Sequence, residues 1–134
     1  MKDYERVISL WLECKLINSK GSATRRQLLQ KIRRDRDLFL VCEDEEKEII
    51  GTVMGSWDGW RAWIYKVAVA ENFRNEGIAT KLLDAVVRQL RKRFGRNVII
   101  RAYIERGNEA SLSLFRKLGF ETINEFVIVT LGRQ

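Results

Sequence analysis

The chain has 134 residues, 46% of them hydrophobic and 32% charged, a globular mixture that excludes wholesale disorder and low-complexity architectures. Lysine and arginine number 25 against 18 acidic residues, so the formal net charge is +7. Histidine is absent, which excludes Ser-His-Asp and Cys-His nucleophile pairs and His-ligated zinc before any motif is considered.

Metal, redox and membrane signals are missing from the sequence. Cys14 and Cys42 are too far apart for a Cys-x-x-Cys motif, so we expect neither a zinc knuckle nor a redox pair. The first residues are charged where a signal peptide would be apolar, and no window approaches the roughly 18 apolar residues of a membrane span. We therefore expect a soluble, cytoplasmic protein without a membrane partner.

The first half of the chain predicts two helices followed by three strands. Apolar residues recur at helical spacing over residues 4–17, and a basic helix follows at residues 23–34 after a polar break. Strand-like runs separated by short polar turns then predict an antiparallel meander. These runs cover residues 38–43, 48–57 and 61–69.

The second half alternates helices and strands. We predict a long helix at residues 78–94, a strand at 97–103, a shorter helix capped by Asn108 and ended by Gly119, and a last strand at 126–131. The order α-α-β-β-β-α-β-α-β implies a mixed α/β sheet with at least one β-α-β crossover. Because we find no repeat, linker or composition break, we predict a single domain over residues 1–134.

The most informative stretch leads from the third predicted strand into the third helix. Gly77 stands at the start of that helix and the small Ala79 follows, so unpaired backbone amides converge beside the positive end of the helix dipole. Arg74 adds positive charge to this candidate anion cradle. A plain strand-to-helix turn that needs one glycine explains the pattern equally well. No Walker loop or three-glycine dinucleotide fingerprint is present, which disfavours nucleotide hydrolysis and hydride transfer.

The sequence also carries two blocks that are similar to those of a known family. Residues 74–79, Arg-Asn-Glu-Gly-Ile-Ala, resemble the Gln/Arg-x-x-Gly-x-Gly/Ala signature of the GCN5-related N-acetyltransferase (GNAT) superfamily. Residues 108–120 are similar to its later Asn-x-x-Ala/Ser-x-x-Leu-Phe/Tyr-x-Lys-x-Gly-Phe block, and residues 67–69 to its splayed fourth strand. The resemblance covers about residues 4–131 and looks nearest to small bacterial members of the YpeA type.

This resemblance implies a GNAT-like acyl-CoA N-acyltransferase fold and acetyl transfer from acetyl-CoA, the cosubstrate, to a primary amine by direct attack in a ternary complex. The main chain of Val67, Ala68 and Val69 would then pair with pantetheine as an added strand, and the Val67 N–H would polarise the thioester carbonyl. The cofactor diphosphate would be held by Arg74, Asn75, Glu76, Gly77, Ile78, Ala79 and Thr80. The resemblance also places Asn108 at the pantetheine arm or the gap between strands, and Phe115 and Lys117 at the cofactor's exit.

Departures from the family pattern concern proton transfer. Many members have a tyrosine acid where this chain has Phe115, and an acidic residue on the fourth strand where this chain reads Trp-Ile-Tyr-Lys at residues 63–66. The remaining proton-carrier candidates each suit a structural role at least as well. These candidates are Tyr65, Tyr103, Glu105 and Ser111.

A further departure is that the first helix starts almost at once, so the family's first edge strand is expected to be missing or the chain to be a shortened form. The next strand would then expose its backbone for pairing.

Expected partners are acetyl-CoA, an amine-bearing small molecule or protein terminus and, as an open alternative, a second copy of the chain as a homodimer. A regulatory or non-catalytic acyl-CoA-binding module and a basic nucleic-acid-binding domain are the rival functions, the latter suggested by Arg/Lys clusters at residues 25–36 and 88–96. We favour a solvated face for these clusters.

Overall fold

The computed structural model describes residues 3–17 and 25–132, and over these ranges it follows the predicted element order up to the last helix. The predicted break after the first helix and the first residues of the predicted second helix lie outside the described residues. The helices and strands are α1 (Tyr4–Glu13), α2 (Arg25–Asp35), β1 (Phe39–Glu43), β2 (Ile49–Trp57), β3 (Ala62–Val69), α3 (Ile78–Phe94), β4 (Ile100–Ala102) and α4 (Glu109–Lys117).

Helix α1 ends earlier than its apolar pattern predicts. Lys15 adopts a φ of 59°, and the Leu16 amide donates to the Trp11 carbonyl at 2.9 Å, which closes the helix as a left-handed C-terminal turn does. The apolar residues that continue the pattern are still used, because Ile17 is only 4% exposed and packs in the core beneath α1. The pattern therefore marks the buried face correctly but not the end of the helix.

The strands form one sheet in the order β1-β2-β3-β4. The first three strands pair antiparallel, as the predicted meander requires, and β4 lies parallel to β3. Helix α3 connects these two parallel strands, which confirms the predicted β-α-β crossover and the mixed sheet. Among the described strands β1 has only β2 beside it and forms one edge of the sheet.

Helices cover both faces of this sheet. Alternate residues of β2 divide between the faces: Thr52 and Met54 point towards α1, whereas Gly51 and Gly55 point towards α3. A Cβ atom at Gly51 would lie 2.9 Å from Leu82, and one at Gly55 would lie 3.0 Å from a methyl group of α3. The two glycines therefore let α3 pack closely against the middle strand.

A buried carboxylate connects α2 with α3. Asp35 is only 5% exposed, and it accepts hydrogen bonds from Lys31 at 3.0 Å and from Arg93 of α3 at 3.3 Å. Lys31 also donates to the Gly55 carbonyl on β2. Burial alone would raise the pKa of Asp35, but the hydrogen bond and charge of Lys31, the hydrogen bond of Arg93 and the charge of Arg34 outweigh it and hold that pKa below its ordinary value.

By its internal contacts the chain divides into two compact units, residues 1–103 and 104–134. The second unit contains α4, whose Asn108 cap is confirmed by a 3.1 Å hydrogen bond from the Ser111 amide to its side chain. Gly119 follows with a φ of 94°, the left-handed conformation predicted for the end of this helix.

The predicted last strand is not formed. Residues 126–131 carry no strand assignment, and their apolar side chains are exposed, with Val127 at 85% and Val129 at 88%. A strand forms only where a neighbouring strand supplies hydrogen-bond partners, and the sheet of the first unit comprises β1 to β4 alone among the described residues. The alternating sequence reports β propensity but cannot supply that neighbour.

Candidate active site

Strands β3 and β4 lie side by side over only part of their length. Their parallel register pairs Ala62 with Ile100 and Ile64 with Ala102, and the pairing stops there. Within the first unit, Val67, Ala68 and Val69 therefore lie on a part of β3 that has β2 on one side and no strand on the β4 side. This uncovered edge presents main-chain donors and acceptors to any extended molecule laid beside it.

A bulge interrupts β3 at the same place. Thr52 lies opposite Ala68 and Met54 lies opposite Tyr65, so two residues of β3, Lys66 and Val67, face one residue of β2. Lys66 has a φ of 54°, a left-handed conformation that costs a residue with a side chain about 1 kcal/mol or more.

Two buried side chains hold the bulge from the α1 face. The Thr52 hydroxyl donates to the Lys66 carbonyl at 2.9 Å, and the Trp11 indole N–H donates to the Thr52 oxygen at 2.9 Å. Thr52 is 0% and Trp11 1% exposed. No peptide bond in the described chain is cis, so the Lys66 C=O and the Val67 N–H point in opposite directions. The Val67 amide is thus directed away from Thr52.

Helix α3 begins directly after Gly77, as predicted, and its first backbone amides lie together at this end. Gly77 is the N-cap with a φ of 82°, and the first intrahelical bond runs from the Lys81 amide to the Gly77 carbonyl at 3.1 Å. The amides of Ile78, Ala79 and Thr80 consequently have no acceptor inside the helix. A Cβ atom at Gly77 would meet nothing within 4 Å, so a side chain there would project into open space. The geometry suits an anion.

The other cradle residues lie in the loop that leads to Gly77. Asn75 also has a left-handed backbone, with a φ of 66°, and both Asn75 and Glu76 are exposed. Arg74 donates from Nε to the Val69 carbonyl at 3.0 Å, and its terminal nitrogen lies 3.6 Å from the Cys14 sulfur. The guanidinium charge is therefore held at the end of β3, beside the C-terminal end of α1.

The two tyrosine candidates lie where β3 and β4 part. Each follows the last paired residue of its strand, Tyr65 after Ile64 and Tyr103 after Ala102. Tyr65 is 36% exposed, with the Lys31 ammonium 5.6 Å from its ring centre, and Tyr103 is 66% exposed and stacks on Trp63 at 5.0 Å. Both hydroxyl groups belong to side chains that solvent or a ligand can reach.

Sequence reasoning missed Lys66 as a functional candidate. Its ammonium lies 5.7 Å from the centre of the Trp11 ring, and burial lowers the pKa of Lys66 below its ordinary value. The available signal was a single lysine inside an otherwise apolar strand, directly before Val67. Lys66 therefore places a partly desolvated amine over the Trp11 ring, and this residue directly precedes Val67 in the chain.

The remaining predicted residues belong to the second unit. Asn108 uses its side-chain oxygen to cap α4 through the Ser111 amide, and Phe115 is 5% exposed and packs edge-on against Phe120 at 5.0 Å. Glu105 and Lys117 are exposed. The structure shows capping by Asn108 and Ser111 and packing by Phe115. The predicted cofactor roles of Asn108, Phe115 and Lys117, and the predicted proton roles of Glu105 and Ser111, stay predictions.

Two negative findings hold for the described part of the chain. Over residues 3–17 and 25–132 no cluster of three or more His, Cys, Asp or Glu side chains is arranged to hold a metal ion. No helix in those same ranges combines the length and apolar character needed to cross a bilayer.

A mixed sheet with an uncovered strand edge and unpaired amides at the start of the following helix suits the class of proteins that bind an extended, anionic cosubstrate. The chain belongs to the acetyltransferase (GNAT) family, whose family model matches residues 4–120. This match confirms the resemblance and the expected fold class, and the protein is an acetyl-CoA-dependent acyltransferase. The likeness to YpeA-type members stays a prediction.

Two curated relatives, both named acetyltransferases, match most of this chain. Acetyltransferase ECA0875 of Pectobacterium atrosepticum is 34% identical over 132 residues, which cover 98% of this chain and 89% of the relative. Acetyltransferase plu1384 of Photorhabdus laumondii is 34% identical over 119 residues, or 89% of this chain and 80% of the relative.

Solved structures show the same fold at lower identity. The PaiA N-acetyltransferase of Thermoplasma acidophilum, in complex with coenzyme A, superposes with a TM-score of 0.73 at 20% identity over 90% of this chain and 84% of its own. A transcriptional regulator from Bacillus halodurans C-125 gives a TM-score of 0.73 at 18% identity, covering 97% of this chain and 94% of its own.

Proposed function

We propose that this acetyltransferase moves the acetyl group of acetyl-CoA directly to a primary amine while both substrates are bound. The observation that carries the proposal is that the uncovered edge of β3 leads, through residues 70–77, directly to the donors at the start of α3. A long, thin molecule with an anionic diphosphate at one end and amides along its arm matches both parts of this surface.

The residues present fit acetyl-CoA on two observations. The first-turn amides of α3 lack helical acceptors, and the preceding Gly77 carries no side chain where open space would admit one. The edge at Val67 and Val69 has no β4 neighbour, so the pantetheine arm can lie there as an extra strand, while the Val69 carbonyl accepts its hydrogen bond from Arg74. Arg74, held by the Val69 carbonyl, supplies positive charge at the end of this edge.

The Val67 amide has the direction needed for the chemistry. Because it points away from Thr52, it can donate to the thioester carbonyl and stabilise the oxyanion that forms when the acceptor amine attacks. The bond from nitrogen to the acetyl carbon then forms, the bond from that carbon to sulfur breaks, and the thiolate leaves. Tyr65 and Tyr103 stand at the parting of the strands as candidates to carry the amine's proton.

We further propose that the acceptor is an α-amine or another weakly basic amine. No acidic residue stands on β3, the strand where many family members have one. A lysine amine with a pKa near 10.4 is only about 0.04% neutral at pH 7, whereas an α-amine near 7.8 is roughly 14% neutral. A site without a strong base therefore favours the amine that is already neutral.

The test compares two peptides of the same composition, one with a free N-terminus and blocked lysine side chains, the other with a blocked N-terminus and one free lysine. Coenzyme A release is measured for each in the presence of acetyl-CoA, with a doubly blocked peptide as the control for hydrolysis. We expect faster release with the free N-terminus. Preference for the lysine peptide would contradict the α-amine proposal, and acetyl-CoA binding without transfer to any amine would indicate a non-catalytic module.

A further inference from the structure

We infer that Thr52 and Trp11 are positioning residues for acetyl transfer, because their hydrogen-bonded relay holds the bulge of β3 and thereby directs the Val67 amide to the thioester. This inference rests on the proposed function. Neither side chain needs to touch a substrate, since both act through the peptide bond between Lys66 and Val67.

The first step of the argument is the strain at the bulge. Lys66 is held at a φ of 54° within a strand, where a residue with a side chain prefers an extended backbone. Such a conformation persists only when its surroundings fix it, and the Thr52 side chain contacts this peptide through a 2.9 Å hydrogen bond to the Lys66 carbonyl.

The second step is the direction of the hydroxyl hydrogen. A threonine hydroxyl has one hydrogen to donate and lone pairs to accept. Because the Trp11 indole N–H donates to the Thr52 oxygen at 2.9 Å, one lone pair is occupied and the hydrogen is left to point at the Lys66 carbonyl. Trp11 therefore orients Thr52, and Thr52 orients the peptide.

The third step is that burial keeps bulk water away from the Trp11 indole and the Thr52 hydroxyl. With Trp11 at 1% and Thr52 at 0% exposure, loss of the hydroxyl would leave a buried indole N–H unsatisfied and release the Lys66 carbonyl. The trans peptide would then be free to rotate, and the Val67 N–H would turn with it. A misdirected oxyanion donor loses much of its effect, since such donors act through preorganisation.

The experiment uses the full chain and acetyl-CoA labelled with ¹³C at the thioester carbonyl. The variants are Thr52→Val, which removes the hydroxyl at constant shape, Thr52→Ser, which keeps it, and Trp11→Phe, which removes the first donor only. Leu90→Ala, in α3 at 0% exposure, controls for loss of stability away from the bulge. The readouts are the infrared carbonyl stretch of the bound thioester, the rate of acetyl-CoA hydrolysis, which needs no second substrate, and the affinity for free coenzyme A.

We expect the bound carbonyl stretch of Thr52→Val to move towards that of free acetyl-CoA, with hydrolysis slower by about tenfold or more and coenzyme A affinity within about twofold of the wild type. Thr52→Ser and Leu90→Ala should keep the wild-type stretch, and the stretch of Trp11→Phe should lie between those of Thr52→Val and the wild type.

A folded Thr52→Val protein with an unchanged stretch and rate overturns the inference. If Thr52→Val does not fold, an unchanged stretch in Trp11→Phe overturns it, and a shifted stretch supports it. A wild-type protein that fails to bind acetyl-CoA overturns the proposed function itself, and the inference with it.

Discussion

Gly77 is the residue on which the anion cradle depends most directly. Its φ of 82° lies in the left-handed region, which costs a residue with a Cβ atom about 1–2 kcal/mol, and the space in front of it is open. We expect Gly77→Val to lower the free energy of unfolding by roughly that amount and to weaken acetyl-CoA binding about tenfold or more, since its side chain fills the place assigned to the diphosphate. Urea unfolding and calorimetry measure the two effects.

A second substitution at the same position separates backbone strain from crowding. Asparagine accepts the left-handed conformation far better than valine, so Gly77→Asn should keep most of the stability while still placing a side chain in front of the amides. We therefore expect Gly77→Asn to lose affinity for acetyl-CoA with little loss of stability. Wild-type affinity in this variant would contradict the cradle.

The start of α3 could be predicted from its glycine, whereas the bulge of β3 could not be predicted from local sequence. The left-handed turn at Gly77 is indicated by the residue type itself. Lys66 has no such preference, and its conformation follows from the register that sets Thr52 opposite Ala68 and Met54 opposite Tyr65. A register between distant strands is a long-range property, so the Trp11 and Thr52 relay could not be derived from local sequence.

At the scale of elements, Asp35 joins the end of α2 to α3 through Lys31 and Arg93. Because the folded-state pKa of Asp35 lies below its ordinary value of 3.8, the carboxylate contributes stability that is full above that value and is lost as the pH falls through the folded-state pKa. We expect Asp35→Asn to cost about 3 kcal/mol near pH 7, since it leaves Lys31, 12% exposed, without its charge partner. The difference from wild type should shrink at about pH 3.

Asp84→Asn is the matched control for this prediction. Asp84 pairs with Arg88 at 2.7 Å on an exposed face of α3, and exposed pairs of this kind contribute only about 0.3–0.5 kcal/mol. Urea unfolding of both variants and the wild type at the two pH values gives the comparison. An Asp35→Asn cost as small as that of Asp84→Asn, or one that does not change with pH, would contradict the prediction.

The sequence predicts most accurately those elements that have a characteristic residue, such as glycine, at each end. Helix α3 has the predicted bounds because Gly77 and Gly95 stand at its two ends. The strand predicted at residues 97–103 shortens to Ile100–Ala102, since β3 pairs with it only from Ala62 to Ile64. Apolar sequence thus indicates that a strand is suitable, whereas its length depends on the partner that is present.

At the scale of the whole molecule, the net charge of +7 acts on any anionic ligand. The basic residues at the end of α3, Arg91, Lys92 and Arg93, offset the negative end of the helix dipole and contribute to this field. Coenzyme A carries several phosphate charges, so its approach is favoured over that of a neutral molecule. The same field would attract nucleic acid, and salt dependence alone cannot separate these two ligands.

The last prediction therefore compares two acyl donors that differ in phosphate charge. We expect the association rate of acetyl-CoA to fall about tenfold between roughly 0.01 M and 0.3 M salt, because the screening length shrinks from about 30 Å to less than 10 Å. Acetyl-pantetheine carries the same thioester without phosphates, so its association should hardly change. Stopped-flow binding of both donors gives the rates, and equal salt dependence would show that the charge does not steer the cofactor. An oligonucleotide that binds the protein without displacing acetyl-CoA would occupy a different site, which would place the basic faces outside the cofactor site.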